Sequence, residues 1–335
     1  QVLVNLVANG LKFTAKGGQV WIAGEQFRDG GARWIEVTVG DTGRGMDKAD
    51  SERLFQPFTQ GRNVSEGVAG HKGTGLGLYI VKSIVDQHGG TVTHTLQNYT
   101  VENAGTGTWS GVHTINSGSA GTFRNLPAGT LDIQAGITFA YNLGGAVSSF
   151  DNQGSLTRSG TGTATIDGVF TSTGPINATG GTLSLTGGGT MSAPVSLASG
   201  AFLDYSAGTF TLNNGLDATG LGAVRLQGAT ITNATVADTA RFQNLDLNTG
   251  TLNHIGGVVV SGTGAVLNWT STAAIQGAGT LRVATTATMN VTGTGSRTFT
   301  NGTILNQGAT VLSGAVSINT GLGAVWRNAA GASFT

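Results

Sequence analysis

Four short motifs within residues 5–78 carry side chains that could bind a ligand. Their sequences are NLVANGLKFT at residues 5–14, DTGRG at 41–45, FQPFTQ at 55–60 and GTGLGL at 73–78. Amide oxygens suit Mg²⁺, which takes few protein ligands and keeps water and phosphate oxygens. Glycines that precede a helix present free N–H groups to a phosphate. The motifs together predict a site for a phosphate compound with its magnesium ion.

The first motif fits an amphipathic helix. Its polar side carries Asn5, Asn9 and Lys12, which follow one another at the helical spacing i, i+4 and i+7. The two amides are candidate magnesium ligands, and the lysine adds a positive charge that can reach a phosphate. The opposite side is predicted to be buried through Val2, Leu3, Leu6, Val7, Leu11 and Phe13.

The second motif follows a strand-like run at residues 34–39. Asp41 comes just after this run, and a carboxylate there can accept a hydrogen bond from the exocyclic amine of a base. Gly43 and Gly45 allow the backbone to pass close to the flat face of that base. The motif therefore predicts one wall of a base pocket.

The fourth motif leads into a predicted helix. Gly73, Gly75 and Gly77 precede apolar residues at helical spacing in 78–85, which places the positive end of a helix dipole beside the glycines. Taken singly, each of the four motifs also fits an ordinary helix face, turn or core segment. The prediction of a ligand site therefore depends on their order and spacing.

This order resembles the N, G1, F and G2 boxes of the ATP-binding catalytic domain of sensor histidine kinases, within the GHKL ATPase superfamily. The resemblance implies an α/β sandwich at residues 1–95 that binds ATP with Mg²⁺. In this family the γ-phosphoryl group passes to a histidine on a separate dimerisation domain. The resemblance thus implies a histidine-containing partner domain and assigns no catalytic residue to this chain, so its enzymatic activity is left open.

The resemblance also assigns roles to individual residues. Asn9 corresponds to the magnesium ligand, with Asn5 beside it, while Lys12 would contact phosphate and Asp41 would hold the adenine amino group. The remaining assignments are Gly43 and Gly45 at the floor of the base pocket, Phe55 and Phe58 at the base of a lid, Arg62, His71 and Lys72 as phosphate partners in that lid, and Gly73, Thr74, Gly75, Leu76 and Gly77 in the phosphate loop.

The composition changes sharply beyond the first domain. All five lysines precede residue 83, and the chain from Gln97 onward is rich in Gly, Thr, Ser, Ala and Asn. We therefore predict two domains, at 1–95 and 118–335, joined by a junction at 96–117. Within that junction, Gly105–Trp109 is interpreted as a remnant of the closing hairpin of the first domain.

The second region repeats. Glycine followed by alternating apolar residues recurs in 27-residue steps at Gly154, Gly181 and Gly208. Alternation at period two, with turns of Gly and Asn, predicts an all-β parallel β-solenoid in which each repeat is one coil. A flexible chain is the competing interpretation, which the regular aliphatic residues disfavour. The side chains predicted to point inward are Leu183, Leu185, Phe210, Leu212, Leu226, Leu252, Leu281 and Val283.

The solenoid region supports a different function. Its Gly- and Thr-rich repeats resemble the passenger repeats of bacterial surface proteins and autotransporter adhesins. The alternative interpretation is therefore an extracellular structural, adhesin or filament protein with a vestigial ATPase-like N-terminus, which could self-associate through the solenoid ends. The kinase-like part would be cytoplasmic, and the solenoid part would lie at the cell surface or outside the cell.

The remaining composition narrows the choice of partners. The formal net charge is +0 and no basic stripe appears, so nucleic acid is not an expected partner. We find no apolar run long enough to span a bilayer. The five histidines lack the acidic neighbour of a phosphoacceptor motif, and Gln1 lies within the first predicted helix, so the N-terminal domain is expected to be truncated.

Overall fold

A computed structural model describes residues 1–29, 32–43, 53–56, 58, 75–87, 94–97, 100–110, 114–134 and 136–335. The chain divides into two compact units, Gln1–Val92 and Thr93–Thr335. No helix in these described ranges is both long and apolar enough to cross a membrane.

The N-terminal unit contains two helices and one hairpin among its described residues. They are α1 (Val2–Phe13), β1 (Val20–Asp29), β2 (Ala32–Asp41) and α2 (Gly77–Gln87). The two strands pair antiparallel, with Val20 opposite Asp41. Helix α1 contacts both strands and α2. An α/β composition is therefore present, whereas the complete sandwich stays a prediction.

Gly10 sets how closely α1 packs on the hairpin. Gly10 is the buried residue of α1, and a Cβ at this position would lie 3.0 Å from Val20 Cγ1. The predicted apolar face is wider than the face that is covered, because Leu3 and Leu11 are 42% and 65% exposed. Successive helical residues are about 100° apart, so the Leu11 side chain points away from the face on which Gly10 is buried.

The C-terminal unit is built of short strands. In chain order the first sixteen are β3 (His94–Gln97), β4 (Thr100–Asn103), β5 (Thr106–Trp109), β6 (Ile115–Gly118), β7 (Thr122–Asn125), β8 (Thr130–Ile133), β9 (Thr138–Tyr141), β10 (Ser149–Asn152), β11 (Ser155–Arg158), β12 (Thr163–Ile166), β13 (Val169–Ser172), β14 (Ile176–Ala178), β15 (Thr182–Leu185), β16 (Gly189–Met191), β17 (Val195–Leu197) and β18 (Phe202–Tyr205). The others are β19 (Thr209–Leu212), β20 (Asp217–Thr219), β21 (Ala223–Asn233), β22 (Thr239–Phe242), β23 (Asn244–Asn253), β24 (Gly257–Val260), β25 (Val266–Trp269), β26 (Ala274–Gln276), β27 (Thr280–Val283), β28 (Thr288–Val291), β29 (Gly295–Thr300), β30 (Thr303–Asn306), β31 (Ala309–Leu312), β32 (Val316–Gly321), β33 (Val325–Asn328) and β34 (Ser333–Phe334).

These strands form a parallel β-solenoid with three faces. The first face begins with β3, β6 and β9, the second with β4, β7 and β10, and the third with β5, β8 and β11. Strands β21 and β23 are long enough to run through both of the first two faces, so these faces join in one 21-stranded sheet. The third face is a separate sheet of 11 strands.

The 27-residue repeat predicted from the sequence is not one coil. Leu183 pairs with Leu203, 20 residues further along, and Phe210 pairs with Ile231, 21 residues further along. Gly154, Gly181 and Gly208 precede β11, β15 and β19, which lie on the third, first and second faces. Each 27-residue step therefore carries the chain through one full coil and then on to the next face. The same pattern recurs because every corner needs a turn before an alternating strand.

The core runs along the inside of the coils. All eight side chains predicted to point inward are at most 1% exposed, which confirms that part of the prediction. Full burial of one such aliphatic or aromatic side chain stabilises a fold by about 1.5–3 kcal/mol. Phe123, Phe150 and Phe170 form a stack with centroids 5.1 and 5.5 Å apart.

Buried amides form a second internal ladder. Asn103 Nδ2 donates to Asn125 Oδ1, and Asn125 Nδ2 donates to Asn152 Oδ1, each at 2.8 Å. Asn152 Nδ2 then donates to Ser172 Oγ at 3.0 Å. Because each buried amide has a partner in the next coil, the ladder holds the coils in register without leaving polar atoms unpaired.

Solenoid strands also occupy the segment predicted as a junction. Strands β3, β4 and β5 pair in parallel with β6, β7 and β8. Strand β5, Thr106–Trp109, is therefore a solenoid strand, and its interpretation as a remnant hairpin is wrong. The sequence concealed this because Gly107 stands where later coils carry an aliphatic residue, as shown by its pairing with Leu131.

Candidate functional site

A hydrogen bond joins the first and fourth motifs. Asn5 Nδ2 on α1 donates to the backbone oxygen of Gly77, the first residue of α2, at 3.2 Å. The two residues are 72 positions apart in the chain. This contact places the start of α2 against the polar side of α1, where Asn9 also lies one turn further along.

The start of α2 has the backbone geometry that the glycine-rich motif predicted. Gly75 has a φ of +68°, in the left-handed region that glycine adopts at little cost. The first helical hydrogen bond runs from Ile80 N–H to Leu76 O at 2.9 Å. The N–H groups of the first turn of a helix have no partner within that helix, so those of α2 can donate hydrogen bonds to an anion.

Asp41 shapes the backbone that follows β2. Its Oδ1 accepts the N–H of Gly43 at 2.8 Å, and Asp41 itself is exposed. A Cβ at Gly43 would lie 2.7 Å from Asp41 Oδ1 and 2.7 Å from Phe13 O. Position 43 therefore favours glycine, because Asp41 Oδ1 and Phe13 O already occupy the space that a side chain would take.

Sequence reasoning missed two residues that hold this segment in place. Thr42 N–H donates to Gln19 O at 2.9 Å, and Gln19 N–H donates to Thr42 Oγ1 at 2.8 Å. This reciprocal pair fixes the DTG motif against the loop that follows α1. A polar residue just before β1 and a hydroxyl just after β2 are the signal that could have suggested it.

Lys12 and the two phenylalanines of the third motif differ in their contacts and in their exposure. Lys12 Nζ lies 5.2 Å from the centroid of the Phe13 ring. Phe55 is half-buried, whereas Phe58 is 76% exposed with a φ of 61°. The predicted site residues that lie outside the described residues are Gly45, Arg62, His71, Lys72, Gly73 and Thr74.

Acidic side chains of the solenoid serve structural contacts. Arg225 donates from Nε and Nη2 to the two carboxylate oxygens of Asp204, both at 2.6 Å. Asp238 accepts from the Thr235 hydroxyl, and this bond is the main cause that lowers the pKa of its carboxyl group. Within the part of the chain that the structure describes, no three His, Asp or Glu side chains form a group that could hold a metal.

The N-terminal region matches a known family. Residues 1–116 match the profile described as Histidine kinase-, DNA gyrase B-, and HSP90-like ATPase. The match reaches past the N-terminal unit into residues that the structure assigns to the first solenoid strands. No solved structure matches the chain.

Similar curated proteins are sensor kinases. The virulence sensor protein BvgS of Bordetella pertussis is 46% identical over 93 residues, which are 28% of this chain and 7% of BvgS. The histidine protein kinase DivJ of Caulobacter vibrioides is 41% identical over 90 residues, 27% of this chain and 14% of DivJ. The sensor histidine kinase Hik2 of Synechocystis is 37% identical over 100 residues, 29% of this chain and 22% of Hik2.

The similarity thus covers a small part of each relative and about the length of the N-terminal unit. The described residues of that unit place the asparagine helix, the DTG turn and the glycine-rich helix start in the same compact body. The chain therefore carries a HATPase domain, similar to that of sensor histidine kinases, together with a parallel β-solenoid.

Proposed function

We propose that the N-terminal unit binds ATP with Mg²⁺ and presents the γ-phosphate to a histidine on another domain. The observation that carries the proposal is the hydrogen bond from Asn5 to Gly77, which brings the amide-bearing helix and the phosphate-loop helix together. A magnesium-bound triphosphate requires amide oxygens and helix N–H groups near one another, and the contact between these two helices supports such an arrangement.

The amides of α1 would have different tasks. Asn5 uses its Nδ2 to hold Gly77, so it positions the phosphate loop. Asn9 would supply one oxygen to Mg²⁺, whose other ligands would be phosphate oxygens and water, as is usual for this ion. Lys12 would contribute a positive charge to the phosphates.

The base would bind beside the DTG turn. Asp41 Oδ1 already accepts the Gly43 N–H, so its second oxygen can accept a hydrogen bond from the adenine amino group. Glycine at position 43 leaves no side chain between the base and the backbone, so a flat ring would be able to lie close to it. ATP supplies the transferable phosphoryl group, while this chain supplies binding and position, which are most of the catalysis in phosphoryl transfer.

Titration with a fluorescent ATP analogue tests this proposal on the full chain. We expect Asp41→Asn to weaken binding at least about tenfold, or about 1.4 kcal/mol, because the carboxylate is lost. The matched control is Asp86→Asn, which changes an Asp near the far end of α2, where Asp86 pairs with Lys82 at 2.6 Å. Equal affinity for all three proteins, or no binding at all, would refute the proposal.

The role of Mg²⁺ in nucleotide binding can be tested separately in the same assay. We expect Mg²⁺ to strengthen analogue binding in the unchanged chain, and we expect Asn9→Ala to remove most of that gain. Affinity without Mg²⁺ should change little, because the ligand role of Asn9 requires the ion. An undiminished effect of Mg²⁺ in the variant would exclude Asn9 as the ligand.

A second candidate function is structural. The solenoid core is continuous from Leu96 to Ile304, which favours a structural function that resides in the solenoid. Binding of the ATP analogue separates the two candidates, since a vestigial N-terminal unit would not bind it. Self-association through the solenoid ends and a histidine-containing partner domain stay predictions.

A further inference from the structure

A groove of about 260 Å³ lies at one corner of the solenoid, beside the ends of β23, β26 and β29. Asn253, Gln276 and Thr300, which are neighbours in register on the second face, line one side of it. Ile255 and Leu322 add apolar surface to the groove.

Small residues form the middle of this groove. Gly277 lines it with a φ of +102°, and a Cβ there would lie 2.7 Å from the backbone oxygen of His254. Position 277 therefore excludes a side chain, and its neighbour Ala278 carries only an exposed methyl group. Ile255 in the preceding coil and Asn301 in the following coil carry larger side chains, so Gly277 and Ala278 form a notch between them.

The polar groups of the groove are free to bind a ligand. Among the described residues, no hydrogen bond joins the side chains of Asn253, Gln276, Thr300 or Asn301 to another protein group. Three of these side chains are amides, and each amide offers both donors and an acceptor. None of the residues that line the groove is charged. The groove therefore suits a neutral ligand that is rich in hydroxyl groups.

A peptide strand fits this corner less well than a carbohydrate. Peptides that bind by strand addition need an unpaired sheet edge. Strand β26 pairs with both β23 and β29, and β29 pairs with β32, so the backbone beside the groove is already occupied. A glycan instead presents hydroxyl groups to amides and C–H groups to aliphatic side chains such as Ile255 and Leu322.

We propose that this groove binds a neutral glycan chain. The amides of Gln276 and Asn301 donate to and accept from its hydroxyl groups, and Leu322, which is 81% exposed, packs against a sugar face. Neighbouring strands are about 4.8 Å apart, so the ladder from Asn253 to Thr300 offers polar groups at regular intervals along the glycan. This binding is independent of nucleotide binding by the N-terminal unit.

Calorimetric titration of the full chain with three neutral hexasaccharides tests the proposal: cellohexaose, N-acetylchitohexaose and mannohexaose. We expect at least one to bind. We expect Gln276→Ala to weaken that binding about tenfold, which corresponds to about 1.4 kcal/mol. Asn301→Gly should have a similar effect, and glycine tolerates the φ of 54° at that position.

Two further variants separate the groove from the rest of the face. Ala278→Trp fills the notch from an exposed position and should abolish binding, while circular dichroism should show an unchanged fold. Thr211→Ala is the matched control, because Thr211 lies in the same outward column three coils before Gln276. Its affinity should be unchanged.

Other results would overturn the proposal. One is no binding of any hexasaccharide at about 10 mM, which is about ten times the Kd of a weak site with a Kd of about 1 mM. The other is full affinity in Ala278→Trp. Stronger binding of heparin or of an extended peptide would also overturn it, since the groove would then serve an acidic polymer or a protein.

Discussion

The two units of this chain depend on their sequences in different ways. In the N-terminal unit a few residues at fixed places matter, such as Asn5, Asp41 and Gly43, and each has a specific contact. In the solenoid the repeated pattern matters, because each inward side chain is one of many that pack on the coil above and below. Single substitutions should therefore affect binding in the first unit and stability in the second.

The largest expected effect is on the solenoid core. Leu183 is fully buried and pairs with Leu203 in the next coil. We expect Leu183→Ala to lower the free energy of unfolding of the solenoid by about 2–5 kcal/mol, the usual cost of a core cavity. Urea unfolding followed by circular dichroism measures this. Thr211→Ala, on the outside, should cost less than about 0.5 kcal/mol, and an equal loss in both variants would contradict the inward arrangement.

A smaller loss is expected from the asparagine ladder. Asn125→Leu removes the central amide, so Asn103 Nδ2 loses its acceptor Oδ1 and Asn152 Oδ1 loses its donor. Each buried group left unpaired costs about 1–3 kcal/mol. The control is Asn142→Leu, because Asn142 donates to Asn116 in an exposed pair. If urea unfolding gives the same midpoint for both variants, the buried ladder stabilises the solenoid no more than an exposed amide pair does.

The solenoid should also lose stability in acid through His254. This residue is fully buried, its Nδ1 lies 2.7 Å from Gln276 O, and burial lowers the pKa of its ring. The unfolded chain, with a histidine pKa of about 6.5, then binds the proton more readily than the folded chain. The contribution is therefore complete above a pH of about 6.5 and is lost as the pH falls from that value through the lower pKa of the folded chain.

Urea unfolding at pH values on both sides of this range checks the effect. The loss on acidification should be smaller in His254→Gln, which keeps a donor for Gln276 O but does not titrate. An identical loss in the variant and the unchanged chain would assign the acid sensitivity to other groups.

The smallest expected signal concerns phosphoryl transfer. The acceptor must lie in line with the γ-phosphate, and the histidines of this chain lack a phosphoacceptor context. Incubation with ATP labelled at the γ-phosphate should therefore leave the isolated chain unlabelled. Acid-labile label on any of its histidines would show that the chain carries its own acceptor.

The sequence predicted the kind of structure better than its details. The alternation around Leu183 and Phe210 identified the inward side chains, because burial on one face imposes period two. It did not reveal the coil length, because Gly181 and Gly208 begin strands on different faces with the same pattern. The first coil was missed because Gly107 interrupts the aliphatic pattern.

For the candidate site, too, the sequence predicted the residues better than it predicted their contacts. The motifs identified Asn5 and Gly77, yet their mutual hydrogen bond depends on how α1 packs on α2, which no local pattern encodes. The pair of Gln19 and Thr42 and the groove at Gly277 are likewise products of tertiary contact. Local sequence therefore predicts candidate binding residues, and the fold decides which of them contact one another.

Hydrogen exchange of the full chain with and without Mg-ATP tests the central claim most directly. The account predicts slower exchange in peptides from Gln1–Val92, above all those that contain residues 5–14 and 75–87, and no change across Thr93–Thr335. Asp41→Asn should reduce the protection at the same concentration of Mg-ATP. Unchanged exchange in the first unit, or equal protection in the solenoid, would contradict the assignment of nucleotide binding to the N-terminal unit.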